Sequence, residues 1–236
     1  MHILFTRPLE DSKETITRFQ SLGHKVSHLP VLNIKKKNHE KIDFSNYGAV
    51  VFTSANAIKY LQISNLDKNI FCFCVGEATE RKASSVGFQN IFSAEGNVYN
   101  LKEIILRNYN KKNGNILYVS GETITIDLDK KLVLDGYNVD RIINYSSEFN
   151  ENLDEQFLIE LQKEIPDIVY IYSQNSAKSF LNIVKKYGLI DLWMDTNLMC
   201  LGDKTSSVLN EIKWKKIFIF NPFRHEKFNT GSFFRK

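Results

Sequence analysis

The sequence predicts an α/β protein with parallel sheets, assembled from two copies of one unit, and three observations lead there. The first is the stretch 47–57, YGAVVFTSANA, in which the apolar run 49–52 stops at Thr53-Ser54 and turns helical. A short continuous apolar run suits a strand covered on both faces, as in a parallel sheet. The second is its return 119 residues later at 167–177, DIVYIYSQNSA, with Ser173 under Ser54 and Asn175 under Asn56. The third is that other segments pair in the same chain order. ILFTRP at 3–8 matches ILYVSG at 116–121, and GHKVSHLPV at 23–31 matches GYNVDRIIN at 136–144, both offset by 113. VGEAT at 75–79 matches LGDKT at 201–205, and NIF at 90–92 matches KIF at 216–218, both offset by 126. Recurrence in one order, with offsets that drift as loop insertions make them drift, indicates a duplicated unit of one small domain each.

Taken in order, 3–6 reads as a strand, and Pro8 opens a helical pattern with Ile16, Phe19 and Leu22 on one face. Gly23 stops that helix, and 25–29 is the next strand. Residues 30–34 continue extended until the charge run 35–41 breaks the pattern, most simply as a solvated turn or linker. Ser54 and Asn56 are good helix caps, so the change from strand to a helix at 57–61 is abrupt and leaves free N–H groups at its tip. A strand at 70–75, a turn at 76–79, a helix to Val86 and a short strand at 90–92 follow. Residues 101–106 are helical, Gly114 leads into a strand at 116–120, and Gly121-Glu122-Thr123 turns into a helix ending at Gly136. A strand at 138–145 and a helix at 153–164 precede the second apolar strand, 168–172, and its helix, 176–186. A strand at 198–201, the turn 202–205, a helix to Ile212 and a strand at 217–220 complete the regular part. Strands alternating with helices throughout make an α/β protein.

Composition narrows the class. The chain has 236 residues, 25% charged and 43% apolar, enough for one large or two small globular domains. Its 31 Lys and Arg against 27 Asp and Glu leave a formal charge of +4, too mild to predict nucleic-acid binding but compatible with an anionic small ligand. Three cysteines, two of them at alternate positions of one strand (Cys72 and Cys74), point to reduced buried thiols and a cytoplasmic location. MHILFTRPLED has no signal-peptide organisation, and no apolar run approaches the roughly 20 residues that span a bilayer.

Every recurring motif is a strand-to-helix turn carrying Ser, Thr, Asn or Gly. In an open parallel sheet such turns lie at the carboxyl edge, where ligands bind. Helix N-termini there offer unpaired N–H groups and partial positive charge suited to carboxylates or phosphates. Each residue alone is explained as a helix cap worth about 1 kcal/mol, but together they favour a ligand cleft. Other chemistry is missing from the sequence. There is no G-x-G-x-x-G, G-x-S-x-G or H-E-x-x-H, and LGDKT lacks the first glycine of a phosphate loop. His24 and His28 lack a third ligand nearby, so no metal is expected. Cys72 and Cys74 have no cationic neighbour in sequence and read as core.

The motifs in this order resemble the uroporphyrinogen-III synthase family. The matching residues are Thr6-Arg7-Pro8, the G-x-x-V-x-x-x-P-V segment 23–31, F-T-S-x-x-A at 52–57 and V-G-x-x-T at 75–79. A strand ending in Tyr145, S-x-x-S/A at 173–177 and G-x-x-T at 202–205 complete the set, which spans essentially the whole chain. The resemblance implies two α/β domains joined by a two-stranded extended linker. Domain 1 is 1–33 plus 147–236, domain 2 is 37–143, and the linkers are about 30–36 and 142–148. It implies a linear tetrapyrrole substrate, hydroxymethylbilane, that loses its terminal hydroxyl as water, inverts its last ring through a spiro intermediate and closes to the type III macrocycle. No cofactor or metal is implied. The expected partners are the substrate and, for its hand-off, hydroxymethylbilane synthase, with the protein a monomer and neither nucleic acid nor membrane involved.

Carried onto this chain, the substrate-binding set is Thr6, Arg7, Ser54, Asn56, Gly76, Thr79, Gly121, Glu122, Thr123, Tyr145, Ser173, Asn175, Ser176, Gly202 and Thr205. The resemblance singles out Tyr145 as a proton donor to the leaving hydroxyl, the alternative being an aromatic that packs at the strand end. Arg7 holds a carboxylate or forms a structural ion pair. Two departures stand out. The family often carries R-G-x-G-G-R where this chain has Ser120-Gly121-Glu122-Thr123-Ile124-Thr125, losing both arginines. After Pro222 the family usually has a full helix, whereas 223–236 leaves room for little more than a short one, and Phe233-Phe234 are expected to be disordered. The rival reading is a non-catalytic two-lobed cytosolic sensor or binding module for a small anion.

Overall fold

The computed structural model describes residues 1–220 apart from 64 and 96. The first elements are β1 (His2–Phe5), α1 (Leu9–Ser21), β2 (Lys25–His28), β3 (Leu32–Lys36), β4 (Tyr47–Phe52) and α2 (Ala55–Tyr60). Next come β5 (Phe71–Val75), α3 (Glu77–Ser85), β6 (Asn90–Ala94), α4 (Val98–Asn108), β7 (Asn115–Gly121), α5 (Leu128–Leu134) and β8 (Val139–Phe149). The remainder is α6 (Glu155–Lys163), β9 (Ile168–Ile171), α7 (Gln174–Lys186), β10 (Asn197–Leu201), α8 (Asp203–Val208) and β11 (Lys216–Phe220). The chain is mixed α/β, and every strand pairing among β1, β2, β9, β10 and β11, and among β4 to β8, is parallel.

Two compact units divide the chain, one of residues 1–33 with those from Glu148 onward, the other Ile34–Ser147. Their boundaries fall inside β3 and β8. The sheet of the first unit runs β11-β10-β9-β1-β2, and that of the second β3-β8-β7-β4-β5-β6. Under the sequence pairing (β1 with β7, β2 with β8, β9 with β4, β10 with β5, β11 with β6) the five-strand orders are the same. Registers agree too: Phe5 lies opposite His28, and Tyr118 opposite Arg141, each 23 residues on. In the first sheet the chain runs from the inner strand β1 outward to β2 and later resumes at β9 on the other side, running outward to β11; in the second it runs from β4 outward to β6 and resumes at β7. Each sheet therefore has a point where the winding direction reverses, the usual place for a ligand crevice beyond the strand ends.

The apolar runs are covered on both faces. In the second unit Ala49, Val51 and Phe73 pack with Leu101 and Ile105 of α4 and Leu128 and Leu132 of α5. Val50, Phe52, Cys72 and Cys74 pack on the opposite face with Ala57 and Ile58 of α2 and Ala83 of α3. In the first unit Leu4, Val169, Leu198 and Cys200 meet Phe180, Ile183 and Val184 of α7, while Phe5 stacks on Tyr170 at 5.0 Å on the other face. Truncating one such aromatic to alanine costs about 3–5 kcal/mol, so these two-sided cores hold the strand ends in place.

Several expectations needed correction. Leu22 does not share a face with Ile16 and Phe19: it is 51% exposed just past the end of α1, on which Ser12 is buried and Ile16 and Phe19 are half-buried. The helix after Gly121 begins only at Leu128, leaving an irregular turn of 122–127 beside the strand ends. α8 stops at Val208 rather than Ile212, and β8 runs past Tyr145 to Phe149. The expectations for 223–236 lie outside the described residues.

Candidate functional site

The second unit gathers its sequence-selected residues beyond the ends of β4, β5 and β7. β4 ends at Phe52, and Ser54 caps α2 by accepting the Asn56 N–H at 3.2 Å. This places the Ser54 hydroxyl at the reversal point, next to the end of β7. β8 runs alongside β7 until its pairing slips by one residue, Ser120 opposite Ile143 and then Gly121 opposite Tyr145. Such slips re-aim a side chain. Here the slip lays the Tyr145 ring against the Gly121 backbone, where an added Cβ would lie 2.7 Å from the ring carbon Cζ and 2.9 Å from the hydroxyl oxygen. Only glycine permits that approach. Burial raises the Tyr145 phenol above its usual value of 10.0, against smaller downward pulls from bonds to the Ser54 side chain and the Gly121 backbone. The phenol is therefore protonated at neutral pH, and the two groups that pull it down are placed to stabilise a phenolate.

The turn that carries Gly121 is itself held. The Glu122 N–H donates to the Tyr145 carbonyl at 2.9 Å, and the Glu122 carboxylate pairs with Lys37. Arg141, on β8, donates from Nε to the Ser120 hydroxyl at 2.8 Å and from Nη2 to the Gly121 and Glu122 carbonyls at 2.9 and 3.2 Å. Asn144 is fully buried and donates to the Ala57 carbonyl at 2.7 Å, tying β8 to α2. Thr123 is exposed on the turn. Gly76 caps α3 with φ 79° and ψ 150°, a conformation open essentially to glycine alone, and Thr79 is buried at 4% exposure in the first turn of that helix.

The first unit repeats this pattern with other side chains. The buried Thr6 hydroxyl donates to the Tyr170 carbonyl at 2.6 Å, joining the ends of β1 and β9. Arg7 lies over the Tyr172 ring at 4.7 Å and 3.7 Å from the Asp11 carboxylate. Burial pushes the Tyr172 phenol up, offset in part by that guanidinium. Ser173 caps α7 by accepting the Ser176 N–H at 3.1 Å, and the two hydroxyls are 2.8 Å apart. Asn175 is half-buried in the same first turn. Gly202 caps α8 with the same φ of 79° as Gly76, and Thr205 is 3% exposed. His28 bonds through Nε2 to the Arg7 carbonyl at 2.7 Å, whereas His24 packs on Phe19, so the two histidines serve separate places.

The family model described as uroporphyrinogen-III synthase HemD matches residues 13–223. The chain belongs to the uroporphyrinogen-III synthase family. An uncharacterised protein of Rickettsia prowazekii (strain Madrid E), RP474, is 22% identical over 95% of both chains. Among solved structures, a uroporphyrinogen-III synthetase of Helicobacter pylori 26695 superposes with a TM-score of 0.60 at 18% identity, over 92% of this chain and 91% of that one. A mutant uroporphyrinogen III synthase of the extremely thermophilic bacterium Thermus thermophilus gives 0.53 at 13% identity over 92% of both. At these identities the likeness is one of fold.

Set beside the synthase family, the sequence-selected residues separate by unit. Ser54, Asn56, Gly76, Thr79, Gly121, Glu122, Thr123 and Tyr145 belong to the second unit, and Thr6, Arg7, Ser173, Asn175, Ser176, Gly202 and Thr205 to the first. Ser54, Gly121 and Tyr145 are brought into contact, whereas Thr79 and Thr205 are packed inside. Sequence reasoning missed Arg141, Ser120 and Lys37. The signal for Arg141 was present in the offset of 113, which sets it under His28 and Ser120 under Arg7.

Proposed function

We propose that this chain catalyses the cyclisation of hydroxymethylbilane to uroporphyrinogen III, with inversion of the terminal ring and loss of water, as a lyase of tetrapyrrole and heme biosynthesis. The observation that carries the reading is the Tyr145 phenol, protonated at neutral pH and seated between Ser54 and the Gly121 backbone where the sheet winding reverses. The phenol gives its proton to the terminal hydroxyl, which leaves as water while the pyrrole nitrogen lone pair relieves the electron-poor carbon. The phenolate left behind is held by the Ser54 and Gly121 groups that pull its pKa down, and it takes back the proton released when the last ring regains its pyrrole form. Positioning a flexible chain so that its ends meet is the larger task, and orientation alone is worth about 7–11 kcal/mol. The capped strand ends of the second unit supply polar groups for the substrate carboxylates.

The reading extends to a cytoplasmic monomer that needs no cofactor and receives its substrate from hydroxymethylbilane synthase. It takes 1–33 plus 147–236 and 37–143 as the domains, joined through 30–36 and 142–148, of a duplicated unit; the shared strand order and register support the duplication. The test is to feed hydroxymethylbilane, made in situ, to the purified protein and separate the products. Predominant type III isomer is expected. Spontaneous closure gives type I, so type I alone overturns the enzyme and leaves an anion-binding module.

A further inference from the structure

We propose that Arg141 is a positioning residue, holding the turn that ends β7 so that Tyr145 keeps its place beside Ser54. The activity arm of this inference rests on the function proposed above; its spectroscopic arm does not. Three bonds carry it: Nε–H to the Ser120 hydroxyl at 2.8 Å, and Nη2–H to the Gly121 and Glu122 carbonyls at 2.9 and 3.2 Å. Ser120 in turn donates to the Gly121 carbonyl at 3.0 Å, so the guanidinium and the hydroxyl close on one peptide from two sides. That peptide bounds the residue against which the Tyr145 ring rests. A planar guanidinium presents its donors in a fixed fork, here Nε on the Ser120 hydroxyl and Nη2 on the two carbonyls, which a point charge does not reproduce.

The placement is not incidental to one strand. In the first unit the residue at the same register, His28 opposite Phe5, also reaches back to the turn ending the adjoining strand, bonding the Arg7 carbonyl at 2.7 Å. Arg141 lies opposite Tyr118 and does the same to the turn after β7. The second unit's turn is the longer and more irregular, with six residues, 122–127, before α5 begins. A turn of this kind needs a clamp from outside itself, and β8 delivers it four residues before Tyr145.

The test compares Arg141→Met, Arg141→Lys and Ser120→Ala with the natural sequence in steady-state assays, and follows the Tyr145 ring by NMR in 13C-tyrosine protein, assigned through Tyr145→Phe. Both carbonyls released by Arg141→Met lie at a partly exposed turn that water can serve, so the fold is expected to persist. A misplacement of about 1 Å costs as much as a hundredfold, so Arg141→Met is expected to lower kcat about ten- to a hundredfold with KM within about twofold. The Tyr145 ring resonance moves in the same variant, and Arg141→Lys, with a single point of donation, falls between. Ser120→Ala, which leaves both carbonyl bonds, gives a loss of about threefold with a resonance shift in the same direction. It carries the test if Arg141→Met does not fold. An unmoved Tyr145 resonance, a kcat within twofold of the natural protein, or a change in KM alone overturns the proposal. If the natural protein forms no type III product, the proposed function fails, while the Tyr145 resonance still decides whether Arg141 positions the ring.

Discussion

Gly121→Ala probes the closest contact in the site. A Cβ built on Gly121 lies 2.7 Å from Tyr145 Cζ, 2.8 Å from Cε2 and 2.9 Å from the hydroxyl oxygen. Carbon atoms settle about 3.5–4.0 Å apart, so the ring has to retreat by about 1 Å or the turn has to yield by as much. Gly121 does not have the positive φ that would strain an alanine, so the perturbation is one of space alone. Overpacking costs about 1–3 kcal/mol, and a half-buried ring gives way more easily than a core residue, which puts the loss at the lower figure. The effect on catalysis is larger: displacing the donor by about 1 Å is worth as much as a hundredfold in rate. Single-turnover formation of type III product, measured with thermal unfolding, separates the two. A variant that folds and turns over within threefold of the natural protein would refute the reasoning, because the Tyr145 position would then not matter.

Further outcomes follow from the titrating groups and the donor set. In the proposed reaction Tyr145 acts in its protonated form, and burial raises its pKa from 10.0, so the alkaline fall of kcat due to this group is expected above pH 10, and a Tyr145-dependent limb near neutrality in the pH–rate profile contradicts the assignment. His2 is 5% exposed, and burial first and Lys25 second push its pKa below 6.5, against upward pulls from Glu164 and Asp167. The folded state thus disfavours the protonated ring, so stability is full above pH 6.5 and falls as pH drops below that value toward the folded pKa. Urea titrations should show this slope flattened in His2→Gln; an identical slope excludes His2 as its source. Activity should survive exhaustive chelation, and loss with recovery on adding zinc contradicts metal-free chemistry.

What the sequence conveyed and what it withheld divide along physical lines. The two-sided burial of β4 and β9 was legible because a strand covered on both faces must be apolar at consecutive positions. The caps Ser54 and Ser173 and the glycines Gly76 and Gly202 were legible because their roles are local, settled within four residues of chain. Tyr145 was picked out only by resemblance, since its contact with Gly121 depends on a one-residue slip in pairing that no local pattern encodes. Arg141 was hidden for the same reason: its partners are 19 to 21 residues away and meet it only through the β7–β8 register. Leu22 misled because helical spacing continues to it, while the chain has already left the helix and turned to solvent.

The central claim is that a proton from Tyr145 assists the departing hydroxyl while the shape of the strand-end site does most of the work. Tyr145→Phe measures it most directly, since it removes one oxygen and keeps the ring against Gly121. A positioned acid usually contributes about 10²–10⁴-fold, but the pyrrole nitrogen already assists this leaving group, so the expected loss is about one to two decades in single-turnover rate. Folding should be nearly unchanged and the product mostly type III. No loss at all would make Tyr145 a packing residue, and a loss beyond about four decades would mean that proton donation, not positioning, dominates the reaction.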